Sequence, residues 1–206
     1  RCRATNVLDD AWAAEASTFT TDEDMSGWRY RLKIGFPWYP GSSTLTNFPV
    51  LVVFSNGVGD STFNYGAFKG TTGNDLRFTE SDGTTEIAYE VEGDWVHDGT
   101  NYVWVRVPSL VDSNTYIWAY WGSETATQPA YTTNGAVWAN GFAGVFHMTE
   151  AAAVDSTANK NTGTAFGNVG DTVGKVGTGQ AFDGSGDYIN VVDGGDIPSS
   201  GDLTIV

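Results

Sequence analysis

Six residues stand at a spacing suited to gripping a sugar. Tyr102, Trp104 and Arg106 occupy every second position of YVWVRV (102–107), and Tyr116, Trp118 and Tyr120 do the same in YIWAYW (116–121). Alternate residues of an extended strand share a face. Each set therefore projects on one side, with Val103, Val105 and Val107, or Ile117, Ala119 and Trp121, on the other. Sugar C–H faces stack on flat aromatic rings, while polar neighbours hydrogen-bond the hydroxyls. The connection PSLVDSNT reads as the turn of a hairpin, which would lay five aromatics and an arginine on one surface opposite an aliphatic core face. The alternative is that both faces are buried, one in a sandwich and one against the rest of the chain. Trp38 and Tyr39, in a proline-bounded loop, form a second candidate of the same kind.

The elements that must position these residues are strands. In 28–36, Tyr30, Leu32, Ile34 and Phe36 alternate with Arg29, Arg31, Lys33 and Gly35, giving one apolar and one wet face. Residues 37–47 read as a loop, and 50–54 (VLVVF) as a strand buried on both sides. Leu76 and Phe78 precede Ser81-Asp82-Gly83-Thr84, and Ile87, Tyr89 and Val91 follow it; Asp-Gly between alternating runs predicts a hairpin. Beyond these, GSETATQPAYTTNGAVWANGFA (122–143) shifts in composition and reads as a linker. Short strands are predicted at 144–149, 179–183 and 187–192, with another opening at 203–206.

Composition agrees with an all-β chain: aromatic residues are abundant and 26 glycines punctuate them. The formal charge of −15 disfavours nucleic acid and anionic lipid as partners. No apolar run reaches the roughly 18 residues of a membrane-spanning helix, and residues 1–16 lack the uninterrupted apolar core of a secretory leader. Cys2 is the single cysteine, so no disulfide can form within the chain. His97 and His147 have no Cys or His at ligand spacing, which argues against zinc. Neither a Gly-x-Ser-x-Gly elbow nor a phosphate-cradling Gly-x-x-x-x-Gly-Lys is present.

Two resemblances follow from ordered motifs. WRYR (28–31), LTNFPVLV (45–52), DLRFTESDG (75–83), YEVE (89–92), VWVRVP (103–108) and YWG (120–122) together resemble a domain-of-unknown-function family found in large secreted bacterial and archaeal proteins. GVFHMTE (144–150), DSTANKNTGT (155–164) and FDGSGDYINV (182–191) resemble the start of a laminin-G-like, concanavalin A-type jelly roll. The second resemblance implies a carbohydrate- or protein-binding sandwich, often with Ca²⁺. It places Asp155, Asn159, Asp183 and Asp187 in turns whose carboxylates can gather around that ion; the alternative is that they are Asx-turn formers. His147 and Glu150 close the first of those motifs and read as structural. Glu86, Glu90 and Glu92 resemble the alternating acidic strand of jelly-roll glycoside hydrolases. Ala88 stands where that pattern wants an Asp, and the wet face of a hairpin explains the glutamates more simply.

The expected architecture is an acidic leader (1–26), a jelly-roll-like β-sandwich (27–125), a linker (126–143) and an incomplete laminin-G-like segment (144–206). The expected function is non-catalytic binding of a polysaccharide or surface glycan by a secreted or cell-surface protein. A structural subunit that self-associates through unpaired strand edges is the alternative. A glycoside hydrolase is the weaker one. An unfinished jelly roll implies either a longer parent chain or strands supplied by a neighbour.

Overall fold

The computed structural model describes residues 3–6, 9–12, 27–61, 63–149, 153–192 and 194–195. The chain is all-β, with several antiparallel sheets. It divides into two compact units, 1–132 and 133–206.

In the first unit, β1 (Arg3–Asn6), β2 (Asp9–Trp12), β4 (Leu45–Phe54), β6 (Tyr89–Val91) and β7 (Asn101–Leu110) form a five-stranded sheet in the order β2-β1-β4-β7-β6. The strands β3 (Tyr30–Gly35), β5 (Arg77–Thr79) and β8 (Tyr116–Trp121) form a second sheet in the order β3-β8-β5. The alternating pattern puts Leu32 and Ile34 from β3, Val50, Val52 and Phe54 from β4, Val103, Val105 and Val107 from β7, and Ile117, Ala119 and Trp121 from β8 into one buried cluster. Two sheets sharing a core in this way make a β-sandwich. The predicted leader thus contains two strands: β1 adds to β4 through Arg3↔Val53 and Ala4↔Val52. Four-residue strands such as RATN and DDAW carry too little alternation to be read in advance.

One irregularity re-aims both central strands. Pro108 cannot donate to the ladder, and opposite it Asn47 adopts φ 51°, so the β4–β7 pairing skips this position. Beyond it the inward side changes parity, and Leu110 and Leu45 turn to the core instead of the residues the upstream alternation would select.

The predicted hairpin at Asp82-Gly83 forms only at its tip. Glu80 N–H donates to Thr85 O, Ile87 N–H donates to Phe78 O, and Thr79 bridges Glu86. The strands then splay, β5 joining β8 and β6 joining β7 in the other sheet.

The predicted linker is divided between the units. In the first, Tyr131 packs its ring edge-on to Tyr89 at 5.8 Å, and Thr127 O accepts from Arg77 Nη2. In the second, Val137 and Trp138 are buried. Apolar anchors within a Gly/Thr/Ala-rich stretch make both halves part of folded structure. The second unit also holds two two-stranded antiparallel sheets, β9 (Gly163–Phe166) with β12 (Tyr188–Val191), and β10 (Gly170–Val173) with β11 (Thr178–Ala181). The predicted strand at 144–149 is reduced to one bridge, Phe146↔Asp155, and that at 203–206 lies outside the described residues.

Candidate functional site

The two aromatic strands do not form a hairpin. β7 is already paired on both edges, with β4 and with β6, and β8 fits between β3 and β5 in the other sheet. The PSLVDSNT segment is a crossing between sheets, tightened by Thr115 Oγ1, which accepts from Val111 N and Asp112 N at 3.1 and 3.2 Å. The expected single platform is therefore corrected to two separate sets. Tyr102, Trp104 and Arg106 lie on the outer face of the five-stranded sheet; Tyr116, Trp118 and Tyr120 lie on the outer face of the three-stranded one.

On the three-stranded face, Tyr116 and Trp118 are partly exposed, with ring centroids 5.8 Å apart in an edge-on arrangement. The antiparallel register pairs Lys33 with Trp118 and Arg31 with Tyr120, and both cations lean diagonally. The Arg31 guanidinium lies 4.2 Å from the Trp118 ring centroid, and Lys33 Nζ lies 3.9 Å from that of Tyr116. Cations are held over such rings by the ring quadrupole. Tyr120 is buried, and its hydroxyl donates to Gly83 O at 3.3 Å, so the turn after β5 covers it. Arg77 is buried too, donating to Asn74 O at 3.0 Å and Leu76 O at 2.6 Å. It is an anchor for the chain around it. Among the described residues of this face, Tyr116, Trp118 and Arg31 are partly exposed and Lys33 is exposed.

The five-stranded face differs. Trp104 sits between Leu51 on β4 and Glu90 on β6, and its indole N–H donates to Glu92 Oε2 at 2.6 Å. Leu51 is buried there despite pointing away from the sandwich core. Tyr102 stands opposite Val53, and Arg106 opposite Pro49. The three glutamates do not work as one strand face. Glu86 instead accepts from the Tyr131 hydroxyl at 2.9 Å and lies 3.8 Å from Arg77 Nε. Burial pushes the Tyr89 and Tyr131 phenols up, the second also through Glu86, so both remain hydrogen-bond donors.

In the second unit the candidate metal residues fall into two groups. Asp155 is fully buried and accepts from Val145 N at 3.0 Å, Thr157 N at 2.9 Å, Thr157 Oγ1 at 2.9 Å and Asn161 N at 2.9 Å. Burial raises its pKa, but these hydrogen bonds outweigh that and hold it below the ordinary carboxylate value. Asn159 is exposed and donates from Nδ2 to Ala143 O at 3.0 Å. Elsewhere, Asp187 accepts from Asn168 N at 2.6 Å and Asp183 N at 2.8 Å, and Asp183 accepts from Ser185 N at 2.7 Å. Among the described residues, no three His, Cys, Asp or Glu side chains gather where they could hold a metal ion. His97 contacts Asp98 at 3.1 Å, and the His147 ring lies 5.5 Å from that of Trp138. Trp38 and Tyr39 pack edge-on to each other, with Tyr39 buried. Cys2 and Glu150 lie outside the described residues.

Sequence reasoning missed two features. Arg31 and Lys33 were assigned to a wet face without their aromatic neighbours, because the β3–β8 pairing joins segments more than eighty positions apart. The second is a buried network in which Asn101 Nδ2 donates to Tyr65 Oη at 2.7 Å and to Val96 O at 2.8 Å, while Tyr65 Oη donates to Phe54 O at 3.0 Å. Its only signal was an Asn opening a strand.

Residues 72–157 match a family described as Domain of unknown function (DUF2341). The match takes in β5 through β8, hence both aromatic strands, and runs across the boundary between the units to the loop built on Asp155. No curated protein and no solved structure matches the chain.

Proposed function

We propose that this chain is a non-catalytic glycan-binding module of a secreted or cell-surface protein, in which residues 144–206 open a laminin-G-like jelly roll. One observation carries the reading: Tyr116 and Trp118 stand partly exposed on the central strand of a three-stranded sheet, backed by the buried Ile117, Ala119 and Trp121. Rings fixed this way lose little conformational freedom when a sugar stacks on them. The test is affinity electrophoresis of the purified chain through a panel of polysaccharides, with circular dichroism as the check on folding. Trp118→Ala should weaken binding by about tenfold or more, the loss of one good stacking contact, and Trp104→Ala should leave it unchanged. Retention of binding in a folded Trp118→Ala variant sinks the site.

A second reading, a self-associating structural subunit, is favoured by the β1–β2 hairpin. It joins β4 through only two register pairs and is separated from β3 by residues 13–29. Exchange of that hairpin between copies would repeat the same pairing in trans. Light scattering that finds a monomer across the whole accessible concentration range overturns it.

A further inference from the structure

Independently of glycan binding, we propose that Asn134 is a self-modification site, converted to isoaspartate with water as the only co-reactant, and that the product loosens the opening of the second unit. The chain holds three Asn-Gly pairs, at 56–57, 134–135 and 140–141. In such a pair the glycine nitrogen can attack the asparagine Cγ, because no Cβ on the glycine hinders the approach. The N–Cγ bond forms, the Cγ–Nδ2 bond breaks, and the proton of the glycine nitrogen leaves with the amide as ammonia. Water then opens the cyclic imide at one of its two carbonyls. Opening at the side-chain carbonyl gives aspartate. Opening at the main-chain carbonyl gives isoaspartate, in which the main chain is longer by one methylene.

The structure separates the pairs. Asn134 is exposed, and its Oδ1 accepts from Ala136 N at 3.0 Å, so the side chain curls back over the peptide that carries the Gly135 nitrogen. The Ala136 N–H also stands where negative charge develops on Oδ1 as Cγ becomes tetrahedral. Among the described residues, the Gly135 N–H has no hydrogen-bond acceptor. Asn56 is held instead at both ends: Nδ2 donates to Asp98 Oδ1 at 3.1 Å, and Oδ1 accepts from Tyr65 N at 3.0 Å. Its attacking nitrogen, Gly57 N, itself donates to Phe63 O at 3.0 Å. Asn64 has the same curl as Asn134, with Oδ1 accepting from Gly66 N at 2.7 Å, but the next residue is Tyr65, whose nitrogen is committed to Asn56.

The consequence follows from the glycine. Gly135 has φ 84°, and a Cβ on it would stand 2.3 Å from Ala158 N and 2.6 Å from Thr157 C. Its main chain thus lies against 157–158, just after the buried Asp155, and Val137 and Trp138 beyond it are buried. A methylene inserted immediately before this contact cannot be absorbed without moving one side of it, since packed interiors have little spare room. Around Gly141 the corresponding space is open, so the same change at Asn140 meets no such neighbour.

The experiment ages the whole chain in mildly alkaline buffer made with heavy-oxygen water. Peptides are then mapped by mass spectrometry with fragmentation that distinguishes aspartate from isoaspartate. Residue 134 should gain one heavy oxygen and convert about tenfold faster or more than residue 56, whose hydrogen bonds must first open. That ratio should collapse in denaturant. Conversion should slow in mildly acidic buffer, because the glycine nitrogen must give up its proton. Hydrogen exchange on the aged chain should show lost protection at the Thr157 and Asn161 amides. Asn134→Asp, which adds the charge without the methylene, should keep that protection, and Asn134→Gln should prevent its loss. Equal rates at 134 and 56 in the folded chain, or no isoaspartate at 134, overturn the site. Isoaspartate at 134 with unchanged exchange at Thr157 and Asn161 overturns the loosening.

Discussion

Behind the aromatic faces, the first unit closes a core of large side chains. Phe54, Phe63, Phe78 and Tyr89 meet with ring centroids 5.0 to 6.1 Å apart, walled by Val103, Val105 and Val107. The second unit, among its described residues, buries only Val137, Trp138 and Ala153 as apolar side chains. At its centre are Asp155, Thr157 and Asn161, all buried, while Val173 is 92% and Val192 70% exposed. One unit is ordered by removal of apolar surface from water, a non-directional force proportional to area. The other is ordered around one carboxylate to which three amides and a hydroxyl point, a directional arrangement that is costly when incomplete. The contrast teaches where each unit should be fragile, and truncation, acid and added methyl groups should separate them.

The largest effect is expected in the aromatic core. Phe78 is fully buried between Phe54 and Tyr89, and Phe78→Ala should cost about 3–5 kcal/mol through lost transfer energy and the cavity left behind. Denaturant unfolding followed by hydrogen exchange at β7 amides measures it. A cost below about 1 kcal/mol would mean that the sandwich core is not packed as described.

Next comes the carboxylate. Asp155→Ala leaves the buried N–H groups of Thr157 and Asn161 and the half-buried one of Val145 without their acceptor and should cost about 3 kcal/mol. Its folded pKa is lowered. Its contribution is therefore full above the unfolded value of about 3.9 and is lost as pH falls through the folded value. Exchange protection of the Val145, Thr157 and Asn161 amides should fade on acidification from about pH 4 downward. The core of the first unit has no such dependence built into Phe78. Acid loss that persists unchanged in Asp155→Asn would assign it to another group.

Much of this contrast was written in alternation and some of it was not. The inward faces of β3, β7 and β8 follow from period two, since Leu32, Val105 and Ile117 each occupy the predicted side. The sheet that each strand joins did not follow. Ser81-Asp82-Gly83-Thr84 specifies a turn but not whether β5 and β6 stay together beyond it. The crossing at 108–115 reads locally like a hairpin loop because strand partners are chosen by non-local packing. The parity change at Asn47 and Pro108 needs both strands in register before it can be seen. The candidate site shared that fate. Trp118 was legible as an outward aromatic, but its separation from Trp104 and its contact with Arg31 are properties of pairing. In the second unit, strands such as GDTV offer too few apolar residues for any period.

A smaller effect tests the opening of the second unit. Gly135 has φ 84°, and a Cβ there would collide with the backbone of Thr157 and Ala158. Gly135→Ala should therefore cost about 1–3 kcal/mol, through a left-handed conformation and a close approach together. In the first unit, Tyr131→Phe removes one hydroxyl from Glu86 while keeping the ring on Tyr89. A loss of about 1 kcal/mol is expected. A cost for Gly135→Ala well below about 1 kcal/mol would mean that the close approach of Gly135 to Thr157 and Ala158 is relieved by a small backbone shift.

The smallest effect sets the two kinds of aspartate side by side. Asp82 accepts from Thr84 N and Thr85 N at 2.9 Å and from Thr85 Oγ1 at 2.6 Å, and these bonds bring its pKa down to about 2. Asp155 has a similar set of partners, but Asp82 is exposed, so water can replace every bond that Asp82→Ala removes. The sign of linkage is the same for both. The favourable contribution of Asp82 is present above its unfolded value of about 3.9 and lost as the pH approaches 2. Amide shifts of Thr84 and Thr85 should titrate there, while Tm at neutral pH changes little in Asp82→Ala. A Tm drop as large as that of Asp155→Ala would mean that burial is not what separates the two carboxylates, and that the turn at Asp82 is required to hold β5 and β6 in their separate sheets.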